Sequence, residues 1–197
     1  MNFLYAYRGW ILGALAIVML LLPGAPMTDR WLDEALPLSA AVFVVSVLLR
    51  IAARRTIGEH TRGFAHDADR LVTEGLYSKI RHPLYLSNTG VGYTFVVLHF
   101  GIGLLALPFV VALVSFEVLL SKMEDRYLEN RFGDEWRTWS KGTPAFIPRI
   151  NLKDFLSKKG NEERPSCRSF GEAFRADACT WVWLLFSVAI VLFRKVM

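Results

Sequence analysis

Four stretches of this 197-residue chain carry no charged side chain: Gly9 to Thr28, Ala35 to Leu49, Pro83 to Phe116 and Ala178 to Phe193. Its apolar residues are gathered into these blocks rather than spread as a soluble core spreads them. A helix needs ~20 mostly apolar residues to cross a hydrocarbon layer ~30 Å thick, and somewhat fewer where Arg and Lys snorkel at its ends. The Pro83 to Phe116 block is too long for one span, because 34 residues at a helical rise of 1.5 Å would reach roughly 50 Å. It predicts a hairpin whose turn is His99-Phe100-Gly101-Ile102-Gly103, where two glycines and a polar ring interrupt the run. Spans are expected at about 9–26, 35–52, 84–99, 103–120 and 177–194. The expected fold class is all-α, a polytopic membrane protein of about five transmembrane helices with a cytoplasmic cofactor pocket.

Three regions follow: N-terminal transmembrane helices over 1–55, a core with the hairpin over 56–150, and a linker with a last helix over 151–197. Asn151 to Ser169 is polar and contains Lys158-Lys159-Gly160-Asn161-Glu162-Glu163-Arg164-Pro165, the composition of a flexible linker. The first block also has the shape of a secretory signal, with Arg8 before it and Gly24-Ala25-Pro26 after it, but it is long enough to span. Cys167 and Cys179 have no metal-type spacing and read as ordinary small residues.

Charge sets the orientation. Of 23 Lys and Arg, seven lie between Arg50 and Leu84 and twelve between Ser121 and Arg175; with Arg8 they form one group, against Arg30, Arg194 and Lys195. Basic loops stay in the cytoplasm, so the N-terminus is expected inside and the C-terminus outside. The net charge of +5 then reflects a basic rim against anionic lipid head groups and calls for no nucleic acid.

The hairpin carries two polar segments to one membrane surface. The first ends Gly75-Leu76-Tyr77-Ser78-Lys79-Ile80-Arg81-His82-Pro83-Leu84-Tyr85; the second runs from Glu117 through Glu124-Asp125 and Phe132-Gly133-Asp134-Glu135-Trp136 to Ile147-Pro148. Pro83 suits the first position of a helix and pushes His82 out of helical geometry. The free N–H groups there, with Arg81 and His82, favour an anion. Glu124 and Asp125 offer acceptors to hydroxyl or ammonium donors. One anion site beside one carboxylate site suits a zwitterionic ligand bearing sugar hydroxyls. Plainer readings stand beside these: Arg81 as a head-group anchor, Glu124 and Asp125 as a solvated helix end, and Tyr77, Tyr85, Trp136 and Trp139 as interface-belt aromatics. His60 and His66 have no ligand spacing, His99 is expected to be hydrated at the external turn, and Gly90-Val91-Gly92 marks close helix packing.

The ordered set Leu71-Val72-Thr73, Gly75-x-Tyr77, Arg81-His82-Pro83-x-Tyr85, Glu124-Asp125-x-x-Leu128, Phe132-Gly133-x-Glu135-Trp136 and Ile147-Pro148 resembles the isoprenylcysteine carboxyl methyltransferase family, which includes phospholipid methyltransferases. The resemblance covers roughly residues 50 to 149. It implies S-adenosylmethionine-dependent methyl transfer to a lipophilic acceptor that enters from the bilayer. The implied cofactor contacts fall on Asp69, Arg70, Leu71, Val72, Tyr77, His82, Pro83, Leu84, Tyr85 and Glu124, and the anion reading adds Arg81. No metal is required, and no general base is assigned.

The departures bear on the acceptor. Leu120 stands where the prenylcysteine enzymes place an arginine, the second Glu of the acidic pair is Asp125, and a fifth span follows. Asp125 and Arg175, the latter just before that span with Asp177 nearby, are the candidates for acceptor binding. The resemblance implies a lipophilic substrate and membrane lipids as partners, and no protein partner is inferred. Membrane reductases using NAD(P)H share a His-Pro-Asn-Tyr motif with a following acid, whereas this chain has His82-Pro83-Leu84-Tyr85-Leu86-Ser87-Asn88. A non-enzymatic transport or assembly component is the other alternative, against which stands the scarcity of ionisable groups in the spans, where His99 and Glu117 occur besides Arg50, Asp177 and Arg194 near the span ends.

Overall fold

A computed structural model describes residues 3–57, 70–148 and 168–196. The expectations for Asp69, His60, His66, Cys167 and residues 151–167 of the polar linker lie outside the described residues, while the linker's last two, Arg168 and Ser169, are part of the start of the C-terminal helices. Among the described residues every regular element is helical. The short α1 (Phe3–Ala6) precedes α2 (Arg8–Leu21), and a π-helical turn (Trp31–Ala35) runs directly into α3 (Leu36–Ile57). After a 3₁₀ turn at Gly75–Ser78 come α4 (Pro83–Phe100), α5 (Ala106–Phe132), α6 (Asp134–Gly142), α7 (Phe170–Ala176) and α8 (Ala178–Val196).

Two helices are long and apolar enough to cross a membrane, Trp31–Ile57 and Ala106–Phe132, or three if the pair Phe170–Ala176 and Thr180–Arg194, bent by 65°, is one span. That differs from the five expected spans. The first helix stops at Leu21, because Pro23 and Pro26 lack the N–H that a continuing helix would need. The third expected span, α4, is 18 residues long and carries Ser87, Asn88, Thr89 and Thr94 among its apolar residues.

Ser87 is spent on packing against α3, and Thr94 bonds within its own helix. Ser87 Oγ donates to the Ser46 carbonyl at 2.8 Å, and Thr94 Oγ1 to the Gly90 carbonyl at 3.0 Å. At Gly90 a side chain would collide with Ser46 Oγ, and at Gly92 with Leu113, so these glycines let α4 lie close against α3 and α5. The hairpin turn is closed by Gly101, whose φ of 69° favours glycine.

His99 is a correction. It is 1% exposed, and its Nε2 lies 3.1 Å from the Leu22 carbonyl, while Ala25 N donates to the His99 carbonyl at 2.8 Å. The glycine-rich turn looked wet in sequence, but residues 22–25 fold over it. Trp31 also reaches it, with Nε1 donating to the Leu98 carbonyl at 3.2 Å.

The C-terminal helices dock on α3. Ser169 and Glu172 form a capping box at the start of α7. Arg168 N donates to the Arg55 carbonyl, and Ala173, Ile51 and Trp181 form a buried cluster. Large apolar side chains such as Ile17, Val45, Val111 and Leu185 remain exposed along α2, α3, α5 and α8, a lipid-facing exterior.

Candidate functional site

The start of α4 and the far end of α5 meet at one end of the bundle. The chain after α6 returns to the segment before α4, where Arg81 N donates to the Pro144 carbonyl at 2.9 Å and His82 N to the Ala145 carbonyl at 3.0 Å. Gly133, at φ 56°, permits the break between α5 and α6 that makes this return possible. From α6, Trp139 Nε1 donates to the Tyr77 carbonyl at 3.2 Å.

Side chains reinforce this frame. Arg81 Nη1 donates to Asp125 Oδ2 at 3.0 Å, and His82 Nε2 lies 3.0 Å from Asp125 Oδ1. His82 is buried at 3% exposure, with the rings of Tyr85 and Phe146 at 5.6 and 5.7 Å. Its other nitrogen, Nδ1, is 3.9 Å from Glu124 Oε2. Both plainer readings of sequence thus give way at these residues: Arg81 is paired inside the protein, and Asp125 is engaged by two partners.

Beside this clamp lies a cleft of about 150 Å³ lined by Tyr77, Arg81, His82, Pro83, Leu84, Tyr85 and Glu124 together with Tyr5, Arg8, Arg50, Arg54, Ile57 and Asn88. Four arginines therefore face one lining carboxylate. Arg50 and Arg54 share Asp177 as a counter-ion, their Nε atoms donating to its Oδ2 at 2.9 and 3.0 Å. Arg50 Nη1 also donates to Asn88 Oδ1 at 2.8 Å. Arg8 Nη1 donates to the Tyr5 carbonyl at 2.8 Å, with the guanidinium over the Tyr5 ring. Burial, with Glu124 beside it, pushes the Tyr77 phenol far above its usual range, so it stays neutral.

The cleft gathers seven of the residues singled out in the sequence: Tyr77, Arg81, His82, Pro83, Leu84, Tyr85 and Glu124. Asp69 lies outside the described residues. Arg70 is exposed and paired with Glu74 at 3.0 Å, Leu71 is buried, and neither they nor Val72 line the cleft. Of the two acceptor-site candidates, Asp125 serves the clamp and Arg175 is exposed. It is Asp177, two residues further on, that reaches inward.

Sequence reasoning missed Tyr5, Arg8, Arg50, Arg54 and Asn88. Arg50 and Arg54 stand four apart at the end of α3, hence on one helix face, and that spacing was the available signal.

The arrangement fits a zwitterion with a nucleoside. The first-turn amides of α4 and the arginines favour a carboxylate, Glu124 accepts from an ammonium or ribose, and tyrosine rings flank the space. Arg81 Nε is buried without a hydrogen-bond partner among the described residues.

The sequence profile of the phospholipid methyltransferase family matches residues 35–135, just over half the chain. The nickel-cobalt-cadmium resistance protein NccN of Alcaligenes xylosoxydans xylosoxydans is 30% identical over 143 residues, which are 71% of this chain and 62% of that protein. The cobalt-zinc-cadmium resistance protein CzcN of Cupriavidus metallidurans is 38% identical over 90 residues, 42% of this chain and 37% of that protein. The chain thus spans less than two thirds of the length of either relative. No solved structure matches it.

Proposed function

This chain belongs to the phospholipid methyltransferase family, and from that premise we propose that it transfers a methyl group from S-adenosylmethionine to a lipophilic acceptor, with the cofactor held in the cleft at the start of α4. The family and the apolar helices make it an integral membrane methyltransferase. The observation that carries the finer reading is the meeting of Glu124 with the Pro83–Tyr85 helix start, across a cleft with four arginines. When bound, S-adenosylmethionine supplies a methyl group activated by sulfonium charge.

The chain's own residues would orient it. The amides of Leu84 and Tyr85, with Arg81, would receive the amino-acid carboxylate. Glu124 would accept from the ammonium or ribose, and the neutral phenols of Tyr77 and Tyr85 would shape the wall. The clamp on Asp125 keeps His82 and Arg81 fixed, and positioning is the main protein contribution to an in-line displacement. The orientation inferred from charge puts this cleft on the cytoplasmic face, with the N-terminus inside and the C-terminus outside.

Thermal unfolding of the detergent-purified protein with S-adenosylhomocysteine, set beside NADPH, tests this reading. A ligand that binds only the folded state raises stability by about 2.7 kcal/mol at a hundredfold excess over Kd. Stabilisation by S-adenosylhomocysteine alone is expected, and stabilisation by NADPH alone would move the chain to the reductases.

A further inference from the structure

Two residues of the cleft wall, Tyr5 and Arg8, come from α1 and α2, ahead of the family-matched residues 35–135. Backbone bonds carry α1 into α2 with hardly a break, Tyr7 N donating to the Phe3 carbonyl and Ile11 N to the Tyr7 carbonyl, both at 3.0 Å. Tyr5 and Arg8, three positions apart, therefore share a helix face. The far end of α2 is anchored, because Met19 is buried in a cluster with Val96 and Phe100 of α4 and Ala106 at the start of α5. An anchored helix presents that face to the cleft as a fixed wall.

The four cleft arginines differ in how much of their charge is already compensated. Arg81 is paired with Asp125, and Arg50 and Arg54 are paired with Asp177. Arg8 makes no ion pair among the described residues. Its Nη1 donates to the Tyr5 carbonyl at 2.8 Å, and its guanidinium carbon stands 4.1 Å from the centre of the Tyr5 ring. One hydrogen bond and one ring face orient the group without neutralising it, and most of its N–H donors stay available. Arg8 is half-buried, so solvent and salt screen this charge less than they would at an open surface. The charge reaches the Tyr85 phenol in the first turn of α4, where the free backbone amides already favour an anion.

We propose that Arg8 binds the amino-acid carboxylate of the cofactor, and that Tyr5 is the positioning residue that aims it. This rests on the methyl-transfer reading for the identity of the ligand. The carboxylate is shared between the first-turn amides of α4 and the Arg8 guanidinium, the cleft cation with no protein carboxylate to satisfy first. Arg81, held by Asp125, adds a donor there and little net charge. Cofactor binding thus draws on a helix that the family pattern does not cover. The effect is selective, because an adenosine thioether lacking the amino-acid part offers Arg8 no anion.

Calorimetry on the full chain in detergent tests this, with S-adenosylhomocysteine set beside methylthioadenosine, which keeps the nucleoside and the thioether sulfur but has no carboxylate. Arg8→Gln is expected to weaken S-adenosylhomocysteine at least tenfold and methylthioadenosine less than twofold. Arg8→Lys keeps the charge without the planar fork, so it should recover part of that loss. It also carries the test if the glutamine variant fails to fold, since it should still weaken S-adenosylhomocysteine more than methylthioadenosine. Tyr5→Phe, which retains the ring and the backbone carbonyl, should bind as the wild type does, and Tyr5→Leu threefold or more weakly; equal binding by Tyr5→Leu and the wild type would overturn the positioning role. Equal losses for the two ligands, or an unchanged affinity for S-adenosylhomocysteine in Arg8→Gln, would overturn the Arg8 contact and leave the methyl-transfer reading standing. A wild-type chain that binds no S-adenosylhomocysteine would remove both.

Discussion

His82 Nε2 and Asp125 Oδ1 lie 3.0 Å apart, joining the residue just before α4 to the acidic pair on α5. The same carboxylate takes Arg81 on its other oxygen, so one side chain fixes both basic residues of the Arg-His-Pro motif. Asp125→Ala is expected to loosen both, lowering stability by about 1–3 kcal/mol and weakening S-adenosylhomocysteine. Chemical unfolding beside a ligand titration checks it. Lost stability with an unchanged dissociation constant would confine Asp125 to a structural tie.

Glu124 faces the cleft and is not part of that double pairing. Glu124→Gln keeps the shape and removes the charge, so binding of S-adenosylhomocysteine should weaken by about 1–3 kcal/mol with the fold intact. Calorimetry on the purified variant measures this directly, and an unaltered affinity would return Glu124 to the role of a solvated helix end.

Asp177 is the counter-ion of both Arg50 and Arg54 and is 4% exposed. Asp177→Ala leaves two buried guanidiniums without it, a change expected to cost about 3–5 kcal/mol. Proteolysis should then release the α7–α8 region first. Native-like protection of that region in the variant would mean that apolar packing at Ala173 and Trp181 holds the last helices without the ion pairs.

At Gly90 the α3–α4 contact leaves no room for a methyl group beside Ser46 Oγ. Gly90→Ala is expected to destabilise by about 1–3 kcal/mol, and Ser46→Ala in the same chain to restore most of it. Additive losses in the double variant would show that the crowding is relieved elsewhere.

For topology, Lys141 on α6 and Leu104 in the hairpin turn are both exposed and stand at opposite ends of α5. Cysteine placed at 141 should react only from the cytoplasmic side of oriented vesicles, and cysteine at 104 only from the other. Labelling of both from one side rejects the hairpin as a crossing.

The hairpin was legible because an uncharged run too long for one span, broken by two glycines, has few other solutions. It appears as Pro83–Phe100 and Ala106–Phe132 against the expected 84–99 and 103–120. The meeting of its two polar ends followed from that, and with it most of the cleft. What stayed hidden was long-range pairing: nothing near Arg54 in sequence announces Asp177, 123 residues away. In the sequence Arg8, Arg50 and Arg54 count only as orientation charges, and the structure puts all three in the lining of the cleft. Asn88 enters the sequence argument only through the comparison with the reductase motif, because its neighbour Glu117 comes from another helix.

The amides of Arg81 and His82 are held by the carbonyls of Pro144 and Ala145, bonds that no side chain of those two residues contributes to. Between Asp125, which grips the same pair from the other side, and Ala145, the chain acts as a ruler. Outside Gly133 and Trp139 its exposed side chains are free to drift, but its residue count is not: a single insertion there would shift the returning carbonyls out of step. Variation among natural homologues should accordingly be rich in substitutions at the exposed positions of 126–143, sparing Gly133 and Trp139, and poor in changes of length.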